Sequence, residues 1–213
     1  MRLAHLSLVA VLGACSGSLL PKPPSAPARY TLDGAAAPAT AAPRGRTSPP
    51  PSPAPAASAP ALVVGVPRAA AGFDSTRIVY LRRPQELEAF AFHEWVATPA
   101  QMLAPLIVRA LQEGGGFSVV LLAPSSGSGA LRLETDLIRL QHDFTARPSA
   151  VRLTLRAVLL DTATRQVLAW REFDESVSAA SEDAPGGVAA AHQATQRVLA
   201  ALASFCAEQV VGR

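Results

Sequence analysis

Side chains able to do chemistry are few in this 213-residue chain, and their spacing keeps them apart. His93, His142 and His192 show no His-x-x-x-His spacing and have no companion cysteines, so the ligand pattern of a zinc site is missing and no metal is predicted. Ser125-Ser126-Gly127-Ser128-Gly129 superficially resembles a nucleophile loop. It lacks the Gly-x-Ser-x-Gly form and falls between two strand-like runs, which favours a hairpin loop. Gly114-Gly115-Gly116 would cradle a phosphate only if it opened a helix; it follows a helical pattern and predicts a C-cap. Glu134 and Asp136 share one strand face, as an acid pair or, the better reading, as a solvated surface. No ATPase motif is present in the sequence, so any ATP-driven step is powered by another subunit. Neither a catalytic residue nor a cofactor is predicted.

Two cysteines remain, Cys15 and Cys206. Cys15 closes a segment with one basic residue, Arg2, then the apolar run from Leu3 to Leu12 broken only by His5 and Ser7. That run is too short for a bilayer, which takes roughly 20 apolar residues, but it has the parts of a secretory signal. Leu12-Gly13-Ala14-Cys15 resembles the bacterial lipobox, in which the cysteine thiol is diacylated, the signal is removed before it and the new amine is acylated. The sequence thus predicts a signal peptide over 1–14 and a mature N-terminus at Cys15, carrying palmitate-type chains that each add roughly 0.8 kcal/mol per buried CH₂. A plain secretory signal that happens to contain a cysteine is the alternative. Ser16, where enteric bacteria use an acid to retain lipoproteins in the inner membrane, predicts by that analogy an outer-membrane anchor facing the periplasm. With Cys15 lipidated no intramolecular disulfide can form, and Cys206, among Leu199, Leu202, Phe205 and Val210, reads as a small core hydrophobe.

Composition shifts after the anchor. Of the 19 prolines, twelve fall between Pro21 and Pro60, in a stretch of Ala, Ser and Thr whose one aromatic is Tyr30. Such a stretch buries too little apolar surface to offset the entropy of ordering it, so 15–60 is expected to be a disordered Pro/Ala-rich tether. It would span roughly 37 Å as a coil and roughly 140 Å as polyproline II. The formal charge of +3 includes no Lys/Arg cluster with interleaved aromatics, so no nucleic acid is expected as a partner.

Residues 61–211 are long enough for one core. Strands are predicted at Leu62–Val66, Thr76–Leu81, Leu87–Trp95, Phe117–Leu122, Ala130–His142, Ala150–Leu160 and Gln166–Phe173, with Asp161–Arg165 as a hairpin turn. Thr98-Pro99-Ala100-Gln101 has the form of a capping box, and Leu103, Leu106, Ile107 and Ala110 then share a helical face that Pro105 should kink or delay. A second helix is predicted from Gly187 to Val210, with Val188, Ala191, Thr195, Val198, Leu202 and Phe205 as its seam. The fold class is α+β: a largely antiparallel sheet with two helices packed on one side. Phe90, Phe92 and Trp95 form an aromatic group that is core or, if exposed, a partner-binding patch, with Phe92 and Trp95 the candidates.

The order of several segments carries a resemblance. Tyr30-Thr31-Leu32-Asp33 soon after the lipid cysteine, a Val-x-Val strand, "RIVYLRRPQELEAFAFHEWVATPAQMLAPLIVRALQEGG", "LRLETDLIRLQHDF" and "RLTLRAVLLDTATRQVLAWREF" together resemble the ABC-type transport auxiliary lipoprotein family. That family includes the lipoprotein component of paraquat-inducible and related MCE lipid-transport systems. The resemblance implies a non-enzymatic subunit that docks a periplasmic conduit at the outer membrane. It implies an MCE-domain protein and an ABC permease with its ATPase as partners, and allows a homo-oligomer. The alternatives are a structural or assembly lipoprotein of another outer-membrane machine and, third, a lipid-anchored hydrolase using Ser126 or Ser128.

Overall fold

The computed structural model describes residues 26–33 and 59–211. Cys15, Ser16 and most of the Pro/Ala-rich stretch lie outside the described residues. In chain order the elements are β1 (Ala28–Tyr30), β2 (Ala61–Val64), β3 (Arg68–Ala69), β4 (Arg77–Arg83), β5 (Glu86–Trp95), α1 (Pro99–Gly114), β6 (Val119–Leu122), β7 (Leu131–Asp143), β8 (Ala150–Asp161), β9 (Val167–Ser178) and α2 (Ala184–Val211). This is the α+β arrangement that the sequence predicts.

A period of two builds the centre of the sheet. Along β7 the buried Leu131, Leu133, Thr135 and Leu137 alternate with Arg132, Glu134 and Asp136, and β8 answers with Leu153, Leu155, Ala157 and Leu159 on the same face. Because one face is buried, a one-residue slip would turn every leucine to water, so the antiparallel register of Leu133 with Leu159 and Leu155 with Phe173 is strongly specified. The other edge of β7 is shared by three strands in series. Leu62–Val64 pairs with Leu131–Leu133, Arg68–Ala69 with Asp136–Leu137, and Tyr80–Leu81 with His142–Asp143, all parallel. The long pairings of the sheet are antiparallel and the short ones parallel, an alternation that the sequence did not reveal.

Both helices pack on one side. Thr98 caps α1 by accepting from Gln101 N–H while the Gln101 side chain accepts from Thr98 N–H, and Leu103, Ile107 and Leu111 are buried beneath it. Pro105 neither ends nor delays α1, which runs unbroken past it. Pro105 is exposed, and as a proline it offers no N–H to the Gln101 carbonyl one turn before it. Gly115 and Gly116 have φ of 73° and 86°, the left-handed region expected of a helix stop, and Gly114 lets the helices approach: a Cβ there would lie 2.9 Å from Ala203 Cβ. Along α2 the whole expected seam from Val188 to Phe205 is buried, as is Cys206, whose thiol is pushed up to about 12 by burial.

Three expectations are corrected. The helix α2 begins at Ala184, not Gly187, because Asp183 caps it by accepting from Gly186 N–H. Pro185-Gly186-Gly187 reads as a break in the sequence but serves close approach, since a Cβ on Gly186 would lie 2.3 Å from the Ser181 carbonyl and one on Gly187 2.4 Å from His142 Nδ1. Strand β9 runs on to Ser178, past the expected end at Phe173. The tether does not extend unbroken to residue 60: Ala28–Tyr30 pairs in parallel with His93–Trp95, and Leu32 is buried in the core. Tyr30 supplies the anchoring contact, its hydroxyl 2.9 Å from His93 Nδ1.

His142 is the buried titratable group at the join of β7, β8 and α2. It is 2 % exposed, Nε2 lies 2.8 Å from Ser149 Oγ, Nδ1 has no hydrogen-bond partner among the described residues, and the Phe144 ring lies tilted against it at 4.0 Å. Burial lowers its pKa although the charges of Glu182, Asp183 and Asp143 act the other way. The unfolded chain therefore takes up a proton near pH 6.5 that the folded chain resists, and stability is full above that value and declines as pH falls through it. Melting temperature should drop between about pH 7 and pH 5, and His142→Gln should flatten that slope. Equal slopes in both proteins would contradict the assignment.

Candidate interaction surfaces

Strand β5 carries the first candidate. Opposite β4 its register shifts between the Arg77–Glu94 and Val79–Ala89 pairs, an irregularity that spans residues 90–93 of β5. Phe92 is 57 % exposed and has exposed Val96 nearby in sequence, whereas Trp95 is 3 % exposed. The two aromatics lie three positions apart, and their burial puts them on opposite sides of the strand. Trp95 is thus corrected from surface candidate to core residue, and Phe92 alone of the pair reaches solvent. Phe90 is half-buried in a chain of rings: it meets Tyr80 at 4.6 Å and His93 at 5.9 Å, and Tyr80 meets Phe144 at 5.8 Å. Through Tyr30 over His93 at one end and His142 against Phe144 at the other, this chain ties the N-terminal strand to the core.

The sheet face away from the helices is the second. Arg152 pairs with Asp174, Arg156 with Glu172, Arg132 with Glu134 and Arg68 with Asp136. Arg152 and Thr154 hydrogen-bond to Asp174 and hold its carboxyl down to about 2. These pairs are well exposed, so each adds little stability, but together they neutralise the face. Glu134 and Asp136 accordingly belong to a solvated surface, each paired with its own arginine. On this face Trp170 is 65 % exposed, and the sequence did not single it out. Its signal was the alternation from Ala169 through Arg171 to Phe173, which places Trp170 opposite Phe173.

The serines of the 125–128 loop and the imidazoles do not converge, and the one serine hydroxyl that meets a histidine among the described residues, Ser149 against His142, is sealed from solvent. Ser125 Oγ bonds locally with Gly127, in a loop beside an open depression of about 590 Å³ that is lined by Ser128, Arg132 and Glu134 and contains no histidine. His93 turns to Tyr30, His142 to Ser149, and His192 to the carbonyl of Thr31. Among the described residues no group of three His, Cys, Asp or Glu is placed to hold a metal ion, and no helix is long and apolar enough to cross a membrane.

A family model described as the ABC-type transport auxiliary lipoprotein component matches residues 30–203. Its first residue is Tyr30, within β1. No curated protein matches the chain. Among solved structures, protein XCC0632 from Xanthomonas campestris is similar at 28 % identity and a TM-score of 0.65, covering 73 % of this chain and 90 % of that one. The crystal structure of an uncharacterized protein matches at 12 % identity and a TM-score of 0.63, over 85 % of this chain and 99 % of that one, and shows likeness of fold alone.

The split between Phe92 and Trp95 is measurable. Trp95→Ala should lower stability by about 3–5 kcal/mol, as for other large aromatics cut from a core. Phe92→Ala should change it by no more than about 0.5 kcal/mol, as surface substitutions do. Urea titration of the two variants checks both, and comparable losses would contradict the placement.

Proposed function

The chain belongs to the ABC-type transport auxiliary lipoprotein family, and we propose that it works as a non-enzymatic subunit of an envelope lipid-transport system of the MCE type. In this role it is held at the outer membrane by acyl chains on Cys15. The observation that carries the proposal is the family match, which begins inside β1 and ends within α2, so that it takes in nearly the whole folded unit. The absence of a histidine beside the serines of the 125–128 loop, and the full burial of the Ser149–His142 pair, support a docking role over a hydrolytic one.

The physical problem for such a system is the aqueous gap between membranes, where each exposed lipid methylene costs roughly 0.8 kcal/mol. A protein conduit solves it only if the far end is held in place. Since β1 begins at Ala28, the chain from Cys15 to the fold reaches at most about 45 Å at full stretch, and not the roughly 140 Å of an unbroken tether. A short leader holds the domain close to the bilayer. Residues 34–58 follow β1 in the sequence, so they add nothing to the reach from Cys15 to β1.

Metabolic labelling with fatty acid and membrane fractionation test the anchor. The wild type should take up label and sediment with outer membranes, Cys15→Ala should lose the label and the sedimentation, and Ser16→Asp should stay labelled in the inner membrane. An unlabelled wild type, or Cys15→Ala that still sediments with membranes, would overturn the anchored reading.

A further inference from the structure

Among the described residues four strands have a single partner strand, and they differ in kind. Strands β1, β3 and β6 are 3, 2 and 4 residues long, whereas β9 has 12 residues and pairs only with β8. An unpaired edge is normally blunted by proline, lysine, bulges or brevity. Val167–Ser178 contains no proline, glycine or lysine, and its one register shift lies at the hairpin end, between Leu159 and Leu160 of β8.

The phase of the ladder identifies the free groups. Ala179 N–H donates to the Ser149 carbonyl at 2.8 Å, and the register runs unbroken from Ala150 opposite Ser178 to Leu159 opposite Ala169. In an antiparallel pair bonded and non-bonded positions alternate. Arg171, Phe173, Glu175 and Val177 therefore turn their backbone groups to β8, while Trp170, Glu172, Asp174 and Ser176 turn N–H and C=O outward. The side chains of those four lie on the face away from the helices.

We propose that the free edge of β9 is a strand-addition site, which takes an extended segment of a partner protein carrying an apolar side chain against Trp170 and a basic one beside Glu172 and Asp174, whose side chains stay 41 % and 39 % exposed in their pairs with Arg156 and Arg152. A strand is the occupant whose backbone satisfies the row of donors and acceptors. A second copy of this chain fits poorly. In the antiparallel self-registers centred on the strand, Glu172 meets itself, Glu172 meets Asp174, or Asp174 meets itself, and like charges directly opposite are destabilising. Residues 34–58 are equally unsuited, because Pro38, Pro43, Pro49, Pro50, Pro51, Pro53 and Pro55 lack the N–H that a paired strand donates. The site does not depend on which envelope machine supplies the strand, and so stands apart from the transport reading.

The test uses the full chain with a synthetic peptide of alternating valine and lysine, and the same peptide N-methylated at alternate residues. Binding of the first should slow hydrogen exchange at the amides of Trp170, Glu172, Asp174 and Ser176 by at least about tenfold, and leave those of Arg171 and Phe173, already bonded to β8, unchanged. Ser176→Pro removes one outward donor and no ladder bond, and should weaken binding about tenfold; N-methylation, which leaves the protein untouched, should do the same. Protection away from β9, equal binding of the methylated peptide, or edge amides already protected by self-association of the free chain would overturn the proposal.

Discussion

Everything in this structure depends on the row of apolar side chains that β8 and β9 turn toward α2. Leu153, Leu155, Leu159, Phe173 and Val177 meet the seam of Val198, Leu202 and Phe205, and all are nearly or wholly removed from water. Each such side chain contributes roughly 1.5–3 kcal/mol. Burial on one face fixes the register of the β7–β8–β9 meander, and the meander in turn presents the second edge of β7 as a template. Strands as short as β3 then persist because β7 supplies their hydrogen bonds, although they could not form alone.

The same constraint leaves the opposite face bare. Arginine and carboxylate pairs neutralise it, as in Arg152 with Asp174 and Arg156 with Glu172, so its polarity does not call for a cover. What stays unanswered within the described chain is the backbone of β9 and the ring of Trp170. The N-terminal strand lies across the sheet from there, separated from β7 by β4 and β5. The N-terminal strand and the free edge of β9 are therefore on different sides of the domain.

Much of this was legible in the sequence, for reasons that particular residues make plain. The long elements carry their own period: two along Val151–Leu159, and between three and four from Val188 to Phe205. The Thr98–Gln101 box and the triple glycine mark the ends of α1 chemically. Strands β1 and β3 left no such trace, since three and two residues are too few to show a period, and β1 is embedded in proline-rich sequence. The polar run Asp174-Glu175-Ser176 looked like an exit from β9 because an edge strand with one wet face carries half polar residues. Pro185-Gly186-Gly187 looked like a helix breaker because the reasons for two glycines, Ser181 and His142, are distant or non-periodic neighbours. Phe92 and Trp95 were grouped by proximity in sequence, and strand direction separates them.

Family membership and a capped two-layer domain support one account, that of an auxiliary docking subunit whose work is to hold other proteins in place. Affinity capture of the full-length chain from detergent-solubilised envelopes, with identification of the co-purifying proteins, tests that account most directly. It predicts recovery of an MCE-domain protein together with an ABC permease and its ATPase. Recovery of barrel-assembly or polysaccharide-export components with no MCE-domain protein would contradict it.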